Sequence, residues 1–128
     1  MRILLDSHTV IWAVDAPSFL GQRAEAELRS SANDILVSAA TIWEIAIKCG
    51  RGKLSLALPY RSWMAKAVSA LGATILPISI EYADMQASLP NLHGDPFDRL
   101  LIAQSLAEQI PLLSRDTTFD LYGVNRIW

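Results

Sequence analysis

Short apolar runs alternate along the chain with longer amphipathic stretches, and the two kinds of segment carry different periods. Arg2 to Leu5 reads as a first strand, unbroken by any polar residue between Ile3 and Leu5, as in a strand covered on both faces; it stops at Asp6. His8 to Val14 predicts a short helix, and Pro17 and Gly21 break the chain before a second helix over Gln22 to Ser31. Asp34 to Val37 is the next strand, after which Ser38 offers a cap to a helix running from Ala39 to about Lys48, with Gly50 and Gly52 as its stop. Tyr60 to Leu71 is amphipathic and ends at Gly72, Thr74 to Leu76 forms a third strand, and Ser79 caps a helix through Glu81 to about Ser88. The strongest local signal is Asp95-Pro96-Phe97-Asp98. It combines a capping oxygen, a proline at the first helical position and an acid in the first turn, and opens a helix to about Gln109. Leu112 and Leu113 then make a fourth strand ending near Asp116, and Val124 to Trp128 an edge strand.

Strands separated by helices pair in parallel through right-handed crossovers, so the pattern predicts a three-layer α/β/α sandwich with a mainly parallel central sheet. At 128 residues, with no repeat or long linker, residues 1–128 form a single domain. Apolar residues make up 52% of the chain and mean hydropathy is +0.26, which excludes a disordered segment and leaves some apolar surface for a partner. Eleven basic against 13 acidic residues give a formal charge of −2, which disfavours a simple electrostatic nucleic-acid binder. The single Cys49 excludes a disulfide framework and a cysteine-based zinc site. With no signal-peptide or membrane-span pattern, the expectation is a cytoplasmic protein without a membrane role.

In open parallel sheets ligands sit beyond the carboxyl ends of the strands, which directs attention to acids at those ends. Asp6 follows the first strand and Asp116 the fourth, so both emerge at one edge. Glu44 lies in the second turn of the helix after the second strand, among Ile42, Trp43, Ile45 and Ile47, where an unpartnered acid is costly to bury. Asp98 opens the helix that feeds the fourth strand. On this reading its turn faces the opposite edge unless the preceding loop bends the helix start across. Four carboxylates at about 5 Å and an effective dielectric of about 20 repel by roughly 3 kcal/mol per pair, up to about 20 kcal/mol together, against the ~5–15 kcal/mol that stabilises a domain. If they meet, protons or cations enter with them, and all-oxygen ligation selects Mg²⁺ or Mn²⁺.

Each acid also has a purely structural reading. Asp6 can cap the His8 helix, Asp95 the last helix and Asp116 a turn over Thr117 to Tyr122, while Asp98 suits a helix dipole. Asp15, Asp34, Glu25, Glu27, Asp84, Glu108 and Asp120 read as surface or turn residues. His8 and His93 are conceivable as an acid–base pair, with loop or helix-face positions the plainer account. Gly50-Arg51-Gly52-Lys53 lacks the full phosphate-loop pattern, although Lys48, Arg51 and Lys53 suit a nucleic-acid backbone. Trp12, Trp43, Trp63 and Met64 read as core or interface.

Four stretches carry a family resemblance: Ile3 to Ala13 (ILLDSHTVIWA), Ser38 to Leu54 (SAATIWEIAIKCGRGKL), His93 to Leu106 (HGDPFDRLLIAQSL) and Leu112 to Val124 (LLSRDTTFDLYGV). In this order they resemble the PIN-domain ribonucleases, and among them the short VapC-like toxins of bacterial toxin–antitoxin pairs. The resemblance maps the family's four acids onto Asp6, Glu44, Asp98 and Asp116 as catalytic metal ligands. Asp95 becomes a cap, a ligand or a residue behind the ligands, and Ser114 a residue that orients a ligand or water. It implies a Mg²⁺- or Mn²⁺-dependent endoribonuclease acting on cellular RNA and leaving a 5′-phosphate and a 3′-hydroxyl. It also implies a homodimer and a VapB-like antitoxin whose C-terminal segment fills the groove. Two other classes fit an acidic pocket less well. A haloacid-dehalogenase-like phosphohydrolase wants a second aspartate two positions after Asp6, where His8 stands; a receiver-like phospho-acceptor module wants an acidic neighbour to Asp6 and a late lysine, and the only basic residues after Arg99 are Arg115 and Arg126.

Overall fold

A computed structural model describes residues 1–128. Its strands are β1 (Arg2–Leu5), β2 (Asp34–Ser38), β3 (Thr74–Leu76), β4 (Leu112–Leu113) and β5 (Arg126–Ile127). The helices are α1 (Ser7–Asp15), α2 (Gln22–Arg29), α3 (Ala39–Gly50), α4 (Tyr60–Leu71), α5 (Ile80–Ala87) and α6 (Pro96–Glu108), with 3₁₀ segments at Pro17–Phe19 and Thr117–Tyr122. The sheet order is β3-β2-β1-β4-β5, and every neighbouring pair is parallel. No helix is long and apolar enough to cross a membrane.

Alternation along each strand divides the apolar residues between two faces. Ile3, Leu5, Ile35, Val37, Leu113 and Ile127 meet Val10 of α1, Ala24 of α2, Ile45 of α3 and Trp63 and Ala67 of α4. Leu4, Leu36, Leu76 and Leu112 meet Tyr82 of α5, Leu101 and Ile102 of α6, and Phe119. This is the expected three-layer sandwich, and its arrangement follows from crossover hand. From β1 to β3 the chain moves outward in one direction with α1 to α4 on one face. It then jumps back to β4 and moves the other way, and at constant hand that reversal puts α5 and α6 on the opposite face. The reversal makes the gap between β1 and β4 the switch point of the sheet.

Side-chain caps fall where the sequence places them. Ser38 Oγ accepts from Ala40 N at 3.1 Å, Ser79 Oγ from Tyr82 N at 3.2 Å, and Asp95 Oδ1 from Phe97 N and Asp98 N at 2.9 and 3.0 Å. Gly72 closes α4 in the left-handed region at φ 58°. Gly50 is the last helical residue of α3 and not part of its stop; the positive φ of 68° belongs to Gly52 alone.

Two local readings gain partners. Asp15 is exposed, as the sequence predicts, and its carboxylate also accepts from Trp63 Nε1 at 2.9 Å and from Ala57 N at 3.1 Å, tying the end of α1 to α4 and the segment before it. The tryptophans also divide. Trp63 is fully buried, whereas Trp43 is 61% exposed and stacks edge-on against Phe97.

Because Trp63 fills the core between α4 and the sheet and satisfies a carboxylate, Trp63→Ala should destabilise the chain by about 3–5 kcal/mol, read as a lowered urea midpoint in equilibrium unfolding.

Candidate active site

The site grows from the parallel register of β1 and β4. Leu4 lies opposite Leu112 and Leu5 opposite Leu113, so the next residues, Asp6 and Ser114, stand level at the carboxyl edge. Asp6 N extends the ladder to Leu113 O at 3.3 Å. Ser114 Oγ donates to Asp6 Oδ2 at 2.5 Å and accepts from Asp116 N at 3.0 Å, so one hydroxyl links the ends of both strands. The other oxygen of Asp6, Oδ1, accepts from Thr9 N at 2.8 Å. The Thr9 hydroxyl lies 2.6 Å from Oδ1 and 2.9 Å from Leu113 O, its single hydrogen serving one at a time. Asp6 is thus both the cap of α1 and a carboxylate gripped on both oxygens in a buried position.

Glu44 is brought in by α3, which starts where β2 ends. It is 3% exposed; Oε2 accepts from Lys48 Nζ at 2.7 Å, and Oε1 is buried with no hydrogen-bond partner. Such an oxygen has lost its water without replacement, which is costly for a carboxylate. Asp98 arrives with the first turn of α6. Burial, then the charges of Asp95, Glu44, Asp6 and Asp116, push its carboxyl up to about 7. Lys48 responds in the opposite sense: burial draws it down, but the bond to Glu44 and the charges of Glu44, Asp95 and Asp98 outweigh that and hold it above the usual lysine range.

These mutual effects bear on the position of Asp98, which the residues alone leave open. The loop need not carry it across, because a helix that returns the chain antiparallel to parallel strands begins at their carboxyl edge. Asp6, Glu44, Asp98 and Asp116, with Asp95, therefore share one electrostatic neighbourhood. No three of the His, Cys, Asp and Glu side chains yet stand as a closed ligand set.

Two concavities adjoin the acids. One, about 350 Å³, is lined by Asp6, His8, Trp12, Arg115, Asp116 and Thr117. The other, about 230 Å³, carries Lys48, Arg51 and Lys53 beside Glu44 and Asp95. Asp95 is the helix cap foreseen for it, and Asp116 caps the 3₁₀ segment through Thr118 N at 2.9 Å.

Sequence reasoning passed over three groups. Thr9, three positions after Asp6 and fully buried, was detectable as the partner of an N-cap. Arg99, beside Asp98, is only 6% exposed, and its guanidinium donates to the carbonyls of Gln86, Leu89 and Pro90 at 3.3, 3.1 and 2.8 Å, strapping that segment over the start of α6. An arginine among Leu100, Leu101 and Ile102 was the signal for it. Tyr122 had none: it meets His93 only through tertiary contact.

A parallel sheet that gathers carboxylates at its switch point defines the class of protein. The sequence profile of the PIN domain matches residues 3–125, and the chain belongs to that family. Within it, the chain is 30% identical over 117 residues to Ribonuclease VapC22 of Mycobacterium tuberculosis, covering 89% of this chain and 86% of that protein. Among solved structures it is similar to VapBC2 from Rickettsia felis, solved bound to a DNA fragment from its promoter. The TM-score is 0.75 at 17% identity, covering 99% of this chain and 98% of that one. VapBC-1 from nontypeable Haemophilus influenzae gives 0.69 at 13% identity, covering 99% and 97%. At such identities the structural likeness speaks for the fold.

A carboxyl at about 7 in the fold against about 3.9 unfolded binds its proton more tightly when folded, so stability falls as pH rises between about 4 and 7. Removing that charge should reverse the trend. In chelator-containing buffer Asp98→Asn should raise stability by an order of 2 kcal/mol at pH 8, after allowing for solvent screening, and by little at pH 4, seen as a thermal midpoint several degrees higher only at the alkaline end.

Proposed function

We propose that this chain is an endoribonuclease toxin of the VapC type that cleaves cellular RNA with Mg²⁺ or Mn²⁺ and is held inactive by a VapB-like antitoxin. The observation that carries the reading is the buried acid cluster around Asp98, in which Glu44 Oε1 has no donor and Asp98 resists ionising. Both are what a cation would relieve, and a donor set made only of oxygens suits a hard one. Identity of 30% to a protein named as a ribonuclease supports the same activity.

In this reading Asp6, Glu44, Asp98 and Asp116 hold one or two ions directly or through water. A divalent ion held there would supply acidification of a water nucleophile and neutralisation of phosphate charge. The chain's own part is orientation. Thr9 and Ser114 fix Asp6, and Ser114 also holds the backbone of Asp116, so the two strand-end acids move as a unit. Asp95 occupies Oδ1 with two backbone N–H groups, which makes it a cap that adds negative charge beside Asp98. Lys48, Arg51 and Lys53 give the RNA backbone a basic flank on a chain of net charge −2. Exposed apolar residues, among them Ile80 at 86% and Trp43 at 61%, leave surface for a second copy and for an antitoxin.

Purified chain incubated with total RNA should cut it when Mg²⁺ or Mn²⁺ is present, leaving 5′-phosphate ends, and stop in excess chelator. Asp6→Asn and Asp116→Asn should each lower cleavage by more than about 100-fold, since losing even a group behind a ligand costs about 10–100-fold. Full cleavage in chelator, or by both variants, would overturn the reading.

A further inference from the structure

The Tyr122 hydroxyl oxygen is met by three nitrogens: the His93 backbone N at 3.2 Å, Arg99 Nη1 at 3.3 Å and His93 Nδ1 at 2.6 Å. A phenol has one hydrogen to give and two lone pairs to fill. The backbone N–H and the guanidinium can only donate, and between them they use both lone pairs. The remaining contact, the shortest, must then run the other way: Tyr122 gives its hydrogen to Nδ1. Were Nδ1 the donor, the oxygen would face three donors and its own hydrogen would have no acceptor.

That bookkeeping fixes the imidazole. With Nδ1 accepting, the ring proton sits on Nε2, and Nε2 is buried without a hydrogen-bond partner. The nearest anionic atom is Asp98 Oδ2, 3.7 Å away. The ring cannot wander to find another acceptor: its edge meets the Tyr122 ring at a centroid distance of 5.4 Å, and Arg99 also reaches toward the carbonyl of His93 at 3.5 Å. A donor is thus held facing a carboxylate, a few tenths of an ångström beyond bonding range.

We infer that His93 is a positioning residue for Asp98, its Nε2–H held by Tyr122 and Arg99 to orient the Asp98 carboxylate when that carboxylate engages a divalent cation. The inference rests on the metal-dependent reading above. It also assigns work to a histidine whose sequence reading was a plain loop position, and gives Arg99 a role beyond strapping the loop: it occupies the lone pair that would otherwise let Tyr122 accept from Nδ1. His93 touches no reacting atom in this scheme; it acts through Asp98, as the groups behind metal ligands do elsewhere.

The test has two arms. Long-range ¹H–¹⁵N spectra of the metal-free chain should show His93 with its proton on Nε2, and Tyr122→Phe, which removes the hydroxyl, should abolish that preference. Titration with Mn²⁺ alone, without RNA, should find affinity lowered about 10–100-fold in His93→Asn and largely kept in His93→Gln, because the longer amide places an N–H where Nε2–H stood and the shorter one does not. A proton on Nδ1 in the wild-type chain overturns the proposal. So does Mn²⁺ affinity equal to wild type in His93→Asn, or equally lowered in the Asn and Gln variants. Wild-type chain that takes up no Mn²⁺ is a separate result, and sinks the metal-dependent reading itself, whereas the tautomer is read in its absence.

Discussion

The hydrogen bond from Ser114 Oγ to Asp6 Oδ2 joins residues 108 positions apart, and it exists because β1 and β4 pair in parallel with Leu5 opposite Leu113. Everything at the site is measured from that register. A slip of one residue would turn Leu4 and Leu5 to each other's face, exchanging their places in two separate cores, so the apolar residues that bury the sheet also lock the two acids side by side. Packing and chemistry are therefore not independent in this chain. The hydrophobic pattern chooses the register, and the register builds the pocket.

The crowd of carboxylates opposes folding, and the chain moderates it by unequal means. Asp6 is gripped by donors on both oxygens, Asp95 and Asp116 are turned onto backbone N–H groups, and Glu44 has Lys48 on one side. Asp98 has no such help and is the one whose proton is held up to about 7. Repulsion has thus been concentrated on a single side chain, at the mouth of α6, where a bound cation would change the balance most. The two apolar faces of the sheet offset the rest, with Trp63 and the strand residues fully buried on one side and Leu101, Ile102 and Phe119 on the other.

Much of this was readable from residues alone. The strands at Arg2–Leu5 and Thr74–Leu76 and the helix at Tyr60–Leu71 have the boundaries their apolar runs and stops predict, and the caps at Ser38, Ser79 and Asp95 act through the expected oxygens. Where the reading stopped short, it stopped on direction and on long-range partners. The run of its helix leaves the edge of Asp98 open, and only the family resemblance puts it with the other acids. Asp15 is the surface acid its sequence suggests, but nothing near it in sequence discloses its bond to Trp63, 48 positions on. Tyr122 and His93 are 29 positions apart, and their contact is decided by how the 3₁₀ segment lies over α6. Local chemistry announces caps and turns; it does not announce which distant group will need them.

The acids also show why a structural account and a functional one need not compete. Asp6, Asp95 and Asp116 each cap a helix or a 3₁₀ segment, and each stands at the carboxyl edge where helices after strands must begin. The coincidence has a common cause. An element starting at that edge presents unpaired N–H groups there, and an acid is a good residue to meet them. A carboxylate has two oxygens, however, and a cap uses one: Asp95 and Asp116 accept through Oδ1 alone. The capping geometry leaves the second oxygen available and fixes where it points. A site for a hard cation at the switch point of a parallel sheet would therefore draw partly on caps that the fold already requires, here Asp6 and Asp116, and partly on acids that are not caps, Asp98 and the Glu44 that the core has stranded without a donor.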